Sequence, residues 1–423
     1  MSELTLTIQN ISNLGQGFAF DDGVKSKIFI SKTAPNDIIK AKLVKETSKF
    51  SSANLIEIIQ ESEFRKTAPC EYFSRCGGCS LQHLKNDFYQ NFKQKTIEEL
   101  FSRGNLSYND IEWIWIKEGS RRRVNFQIDG NNKLGFFAEN SHNLVEISNC
   151  LMLEKELSDL IPALQDLLNY LPLGVVTQIS AVKFDNGIGI TIHSDKLHLN
   201  EELTTKLLAL SKNNKVISLA KASSDNDINL IYQITSPQLI LNEINIDLPH
   251  NIFLQATKSG QETLIKIITD FTKTKPIKKI IDLYCGVGTY SFTLHNLDEI
   301  DTIDAFEGSK IMVKSINRNS SKNNLSHKIK AVCQDLVKQP LKIEELKKYD
   351  LAIINPPRNG AKAQIEILAK SAIKNIIVVS CNPNSFMEDA KILVENGYKI
   401  NKISAIDQFY YSPHLELIAI FNK

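Results

Sequence analysis

Three cysteines fall within ten residues, CEYFSRCGGC, at Cys70, Cys76 and Cys79, and Cys150 follows after seventy intervening residues. Thiolates in that number suit either zinc or a [4Fe–4S] cluster. Gly77 and Gly78, between the second and third thiols, let the backbone wrap around a bulky centre. Zinc sites more often pair their ligands on two short loops, so three thiols plus one distant lean towards iron and sulfur. Cys381 is a different kind of cysteine. It stands in VVSCNPNSF, just past an apolar run, where Pro383 ends the strand pattern and forces a turn. The carboxyl ends of parallel strands are where open α/β sheets bind ligands, so a thiol there is placed for nucleophilic work. Cys285 and Cys333 read as buried, inert small hydrophobes.

The stretch IIDLYCGVGTYSF is an apolar strand running into a glycine-rich turn and a helix. Gly286 and Gly288 allow backbone to approach a ligand where side chains would block it. Glu307, 21 residues after Gly286, ends the next apolar run, and an acid there can accept hydrogen bonds from two ribose hydroxyls. A dinucleotide-binding pattern would need a third glycine where Ser291 stands. Together with Asp282, the looser turn suits S-adenosylmethionine, which has no pyrophosphate to cradle. Asp335, ending IKAVCQD, is placed either to meet an adenine or to cap a helix. INPPRNGA, with Asn355 and Arg358, turns at the end of the strand preceding SCNP, so two neighbouring turns form a pocket floor.

The elements that must hold these residues fall into three stretches. Residues 1–60 read as five short strands separated by turn signals such as DDG and APND, a pattern for a small barrel. That stretch carries seven lysines, Lys25 to Lys49, against six acids, which make a solvated surface or a weak RNA-binding face. Residues 61–250 are mixed: a helix in HLKNDFYQNFKQKTIEELF, a hairpin around DGNN, a helix in MLEKELSDLIPALQDLLNYL and a hairpin around DNG. From 251 to 423, apolar strands alternate with helical stretches, the signature of a parallel sheet with crossover helices. KISAIDQF and LELIAIFNK read as two final strands. The chain of 423 residues has 42% hydrophobic and 23% charged residues, ordinary for a soluble globular protein, and a net charge of +2 that neither demands nor excludes nucleic acid. No apolar run has the length of a membrane span, the first residues do not read as a secretory leader, and seven cysteines is an odd number for a disulfide framework. A cytoplasmic, monomeric protein is the expectation.

The cysteine cluster with Cys150, DLYCGVGTYSF, NPPR, SCNP and the terminal HLE at His414–Glu416 occur in an order that resembles the RNA uracil-5-methyltransferases that carry an iron–sulfur cluster and use S-adenosylmethionine. The first sixty residues look like the TRAM domain that this family often carries. The resemblance implies an α/β fold with three parts: a TRAM/OB-like β-barrel over residues 1–60, a central α+β domain with the iron–sulfur cluster over 61–250, and a Rossmann-like class I methyltransferase domain over 251–423. It assigns the nucleophile to Cys381, the base to Glu416, cofactor contacts to Gln255, Tyr284 and Glu307, and the [4Fe–4S] cluster to Cys70, Cys76, Cys79 and Cys150; Gly286, Asp335 and Asn355 complete the expected cofactor site.

The chemistry accounts for those residue types. Carbon 5 of uracil is too weak a nucleophile to take a methyl group from a sulfonium. A thiolate adding at carbon 6 makes an enolate, carbon 5 attacks the methyl, and a base then removes the carbon 5 proton so that the thiol can leave. The expected substrate is RNA, ribosomal before transfer RNA, with the uracil flipped out of its stack. Arg121, Arg122 and Arg123 are candidates for phosphate contacts. Two departures stand out. Thr257 ends FLQAT where the family usually has asparagine, and Asn355 precedes Pro-Pro-Arg where the family usually has aspartate, keeping the hydrogen-bonding shape without the charge. Asn-Pro-Pro is also found in amino-methyltransferases, but those follow it with an aromatic residue, and nitrogen methylation has no need of Cys381. A non-catalytic RNA-binding protein with a degenerate cofactor pocket is the remaining alternative.

Overall fold

The computed structural model describes residues 3–224, 227–250 and 252–423. They fall into two compact units. The first comprises the chain through Glu99, Gly135–Ile147 and Tyr411–Pro413; the second comprises Leu100–Leu134, Ser148–Tyr410 and His414–Lys423.

The first unit opens with β1 (Glu3–Thr7), β2 (Asn10–Ile11), β3 (Gly17–Asp21), β4 (Val24–Ile30), β5 (Ile38–Glu46) and β6 (Ser51–Gln60). They form one sheet in the order β1-β5-β6-β4-β3-β2. The pairings are antiparallel except β4 with β6. Alternating apolar positions close a core of their own from Leu6, Ile8, Ile28, Ile30 and Ile39. The extra strand beyond the sequence reading is β2, two residues long and too short to show alternation. Helix α1 (Asn86–Arg103) follows, burying Tyr89, Ile97 and Phe101.

Next along the chain come β7 (Ile111–Trp115), β8 (Arg123–Ile128), β9 (Leu134–Phe137) and β10 (Leu144–Glu146), the last two paired antiparallel. In the second unit α2 (Lys155–Leu168) turns Leu157, Leu160, Ile161, Leu164 and Leu168 to one buried face. β11 (Gln178–Phe184) and β12 (Gly187–His193) form a hairpin in which Phe184 faces Gly187 across a two-residue Asp185-Asn186 loop. α3 (Glu201–Asn213), β13 (Val216–Ser224), β14 (Asp227–Gln233) and the small hairpin of β15 (Gln238–Leu241) and β16 (Ile244–Asp247) complete this stretch.

The last sheet uses β17 (Lys279–Leu283), β18 (Thr302–Glu307), β19 (Ile329–Cys333), β20 (Leu351–Ile354), β21 (Asn375–Ser380), β22 (Lys399–Asp407) and β23 (Glu416–Asn422). Helices α4 (Lys258–Lys273), α5 (Thr289–Thr293), α6 (Lys310–Lys322), α7 (Ile343–Leu346), α8 (Lys362–Lys370) and α9 (Pro383–Glu395) precede or connect them. The order is β19-β18-β17-β20-β21-β23-β22-β7. β17 to β21 are parallel neighbours and β23 runs antiparallel between β21 and β22. The order reverses at β17, which puts a ligand crevice at the carboxyl ends of β17 and β20. The edge strand β7 comes from residues 111–115, far upstream in the chain, and pairs parallel with β22. Among the described residues no helix is long and apolar enough to cross a membrane.

Candidate active site

At the crevice, β17 ends at Leu283 and the chain bends sharply. Tyr284, Gly286 and Gly288 all have positive φ, 57°, 58° and 78°. For tyrosine this conformation is strained, and it marks a turn held by its surroundings. A Cβ on Gly288 would press on Phe292 and Ile316 at 3.2–3.3 Å, whereas one on Gly286 would meet nothing within 4 Å. Gly288 is therefore small for packing, and Gly286 borders open space. Glu307, the last residue of β18, grips this turn: its Oε2 accepts from the Gly286 amide at 3.1 Å and its Oε1 from the Ser309 amide at 2.9 Å. Beneath it Asp282 is fully buried and accepts from the Ser291 hydroxyl at 2.7 Å. Ser291, standing where a third glycine would be, serves one oxygen of that carboxyl, Oδ2, with its hydroxyl. Burial pushes Asp282 up to about 7, against the pull of Ser291. Burial, with the charges of Asp389 and Asp335, lifts the half-buried Tyr284 phenol to about 12.

Asp335 follows β19 as an exposed turn cap, accepting from the amides of Val337 and Lys338 at 3.1 and 3.2 Å. The Asn355 amide donates to Leu283 O at 3.2 Å, which carries the β17–β20 pairing into the Pro-Pro turn. That turn, residues 355–361, is clamped from α9. Asn382 Nδ2 and Ser385 Oγ donate to Arg358 O at 2.9 and 3.2 Å, and Asp389 Oδ2 accepts from the Ala361 amide at 3.4 Å. Pro383 occupies the first turn of α9 behind the Asn382 cap, so the residue read as a strand stop is also a helix start.

Cys381 lies between β21 and that cap. Ser380 faces Leu417 in the β21–β23 ladder, so one step further Cys381, just past β21, comes beside Glu416, the first residue of β23, which still pairs with Ile406 of β22. Burial and the Glu416 charge push the Cys381 thiol up, while the Arg358 guanidinium beside it pulls it down. Glu416 is only 2% exposed, and burial raises its carboxyl to about 7 against the hydrogen bond from Gln408 and the charge of Arg123. Gln408 Nε2 donates both to Glu416 Oε2 at 2.9 Å and to Gln255 Oε1 at 3.0 Å. Thr257, the departure in FLQAT, caps α4 by accepting from the Gly260 amide at 3.0 Å, as an asparagine could.

The arginine run divides. Arg122 is 2% exposed and is a structural cation: Nε donates to Gln255 O at 2.9 Å and Nη2 to Gln261 Oε1 at 2.7 Å, so it has no surface to offer a phosphate. Arg123 faces the other way, over the ring of the exposed Phe253 at 4.2 Å, where it feels the charges of Cys381 and Glu416. Cys333 is exposed, not buried: β19 is an edge strand, and its last residue reaches solvent with Sγ 3.6 Å from Gly308 O. Cys285 is buried, as the sequence suggested. Gln408 and Asp389 escaped the sequence reading. The only signal for Gln408 is an amide at the close of an otherwise apolar strand, KISAIDQF.

In the first unit the cysteine loop is tightly folded. Cys76 Sγ accepts from the Gly78 amide at 3.3 Å, and a Cβ on Gly77 would lie 2.8 Å from Phe137 O. Lys32 Nζ donates to Ser74 O and Cys76 O at 3.2 and 3.1 Å, beside the thiols of Cys76 and Cys79. Cys150 belongs to the second unit. None of the cysteines is in a disulfide, and among the described residues no three Cys, His, Asp or Glu side chains are gathered as metal ligands.

A profile of the tRNA (Uracil-5-)-methyltransferase family matches residues 121–423. The chain is 30% identical over 436 residues to the 23S rRNA (uracil(1939)-C(5))-methyltransferase RlmD of Shewanella sediminis (strain HAW-EB3), covering 100% of this chain and 96% of that protein. It is 29% identical to an uncharacterized RNA methyltransferase of Caulobacter vibrioides, covering 99% of each. The crystal structure of Pyrococcus abyssi tRNA (uracil-54, C5)-methyltransferase in complex with S-adenosyl-L-homocysteine superposes with a TM-score of 0.76 over 99% of this chain and 100% of that one, at 20% identity, and so shares the fold. This chain belongs to the tRNA (Uracil-5-)-methyltransferase family and is an S-adenosylmethionine-dependent RNA (uracil-5-)-methyltransferase.

Proposed function

We propose that the protein methylates carbon 5 of a uridine in 23S ribosomal RNA through a covalent adduct to Cys381. The observation that carries this reading is the β21–β23 register, which sets a thiol and a buried carboxyl next to each other at the carboxyl end of the sheet. Cys381 Sγ adds to carbon 6. Arg358 favours the thiolate, and Arg123 adds positive charge where negative charge accumulates. S-adenosylmethionine, when bound, supplies the methyl group to carbon 5. Glu416 then takes the carbon 5 proton, the electrons of that bond form the carbon 5–carbon 6 double bond, and the Cys381 thiolate leaves. A carboxyl raised to about 7 is matched to that task near neutral pH.

The open space over Gly286 and the acceptor oxygens of Glu307 support a cofactor seat bounded by Tyr284, Gly286 and Glu307, with Gln255, Asp335 and Asn355 as its further expected contacts. Ribosomal RNA is favoured over transfer RNA by the RlmD relatives that match along the whole chain. The six-stranded first sheet and its lysines support a TRAM-like RNA-binding barrel. For the [4Fe–4S] cluster expected at Cys70, Cys76, Cys79 and Cys150, the support is the number and spacing of the thiols in the sequence; no step of the reaction is routed through it.

The deciding experiment mixes the protein with S-adenosylmethionine and 23S ribosomal RNA containing 5-fluorouridine. Fluorine cannot leave as a cation, so the enzyme stalls as a denaturation-resistant adduct whose attached fragment identifies the uridine. Adduct on transfer RNA alone would move the substrate; no adduct on either RNA would overturn the covalent mechanism.

A further inference from the structure

Gln408 stands just past β22 and is 3% exposed. It is packed against the first turn of α4 so closely that a Cβ on Gly260 would lie 2.7 Å from its Oε1. Its one amide nitrogen reaches two acceptors, Glu416 Oε2 and Gln255 Oε1. An ionised carboxylate only accepts, so the end of Gln408 that meets it must be the NH2. That group has two hydrogens, and both are spent. Gln255 must then present its carbonyl oxygen to Gln408, which leaves its own NH2 facing the Tyr290 hydroxyl, with a second hydrogen for whatever binds beside it. Gln408 Oε1 has no hydrogen-bond partner although it is buried. Buried polar atoms without partners are uncommon and call for a reason.

We propose that Gln408 is the positioning residue of the base, and that its amide passes the protonation state of Glu416 to Gln255. This rests on the reading of Glu416 as the base. While Glu416 is ionised, Gln408 holds it and fixes Gln255 as a donor, suited to an acceptor oxygen on the bound ligand. When Glu416 has taken the carbon 5 proton it can donate, and the unpartnered Gln408 Oε1 is the acceptor waiting for it after a half-turn of the amide. Gln255 then loses the donor that fixed its polarity and is free to release its contact. Methyl transfer and product release are thereby coupled by one proton. The other groups facing Glu416 are Arg123 from β8, Cys381 beyond β21 and Tyr290 from α5.

The test is single-turnover kinetics with unmodified RNA, separating methyl transfer from elimination, across a range of pH. In Gln408→Leu, S-adenosylmethionine binds more weakly, because Gln255 has lost the donor that fixes it, and at saturating cofactor elimination slows far more than methyl transfer, on the order of 10²-fold, as for a misplaced catalytic group. The methylated covalent complex accumulates, and the acid limb of elimination moves to higher pH because Glu416 has lost the bond that lowered it. The isosteric Gln408→Glu keeps the shape, removes the donor and moves the limb further. Equal slowing of both steps with an unmoved acid limb, or unchanged elimination in either variant, would overturn the proposal. Wild-type protein that forms no adduct at all would instead remove the base reading on which it rests.

Discussion

Cys381 and Glu416 are far apart in the chain, yet they end adjacent antiparallel strands at the same level, because Ser380 faces Leu417 in the ladder. A nucleophile and a base so related act on opposite ends of one reaction. Cys381→Ala therefore abolishes the 5-fluorouridine adduct. Glu416→Gln forms the adduct with ordinary RNA and fails to release it, with turnover reduced by about 10²–10⁴-fold. Gel shift under denaturing conditions separates the two outcomes.

Both groups act deprotonated, so adduct formation and elimination each gain as pH rises. Adduct formation needs the Cys381 thiolate, whose thiol is raised by burial and by Glu416 and lowered by Arg358. Arg358→Ala removes the lowering influence, so the rate of adduct formation rises with pH later than in wild type. Stopped-flow measurement of adduct formation across pH checks the direction.

Stability carries its own pH signature. Glu416 and Asp282 are raised to about 7 and Asp389 to about 6, from ordinary values of 4.5 and 3.8. Each binds its proton more tightly folded than unfolded. Their stabilising contribution is complete below the ordinary values and is lost as pH rises through about 6 to 7. Glu416→Gln removes one of these groups. It melts higher than wild type at about pH 8 and shows no such gain at about pH 4, by thermal denaturation.

Arg122 binds two acceptors, the partly buried Gln255 O and the buried Gln261 Oε1. Arg122→Met leaves both without their donor and costs about 1–3 kcal/mol of stability. A phosphate contact would instead reduce the salt dependence of RNA binding by about one counterion. Denaturant unfolding falls with that substitution, and the salt slope of RNA binding stays unchanged.

Glu307 holds the amides of Gly286 and Ser309 with one oxygen each. Glu307→Ala frees a turn that is strained at Tyr284 and weakens S-adenosylhomocysteine binding by at least about tenfold, roughly 1.4 kcal/mol. Calorimetry with the protein alone, without RNA, reads that loss directly.

Much of this molecule is legible in its sequence because local chemistry determines it. The glycine turn needs positive φ at Gly286 and Gly288, the apolar strands of the parallel sheet have nowhere to go but a buried interior, and DNG makes the β11–β12 hairpin. The same local logic marked Cys381, since a Cys-Asn-Pro after an apolar strand must stand at a strand's carboxyl end. The clustering of Cys70, Cys76 and Cys79 is likewise written in the spacing alone.

Tertiary structure decided what depends on pairing between distant segments. The register of β21 against β23, not any motif, brings Cys381 and Glu416 together. The recruitment of β7 to the far edge of the sheet has no signal in IEWIW itself. The arginine run looks uniform in sequence, but Arg122, just ahead of β8, is a buried brace on Gln255 O and Gln261, while Arg123, the first residue of β8, neighbours the reacting groups. Gln408 is the clearest instance: an amide acquires a role only from what lies on its two sides, and Gln255 and Glu416 reach it from separate elements.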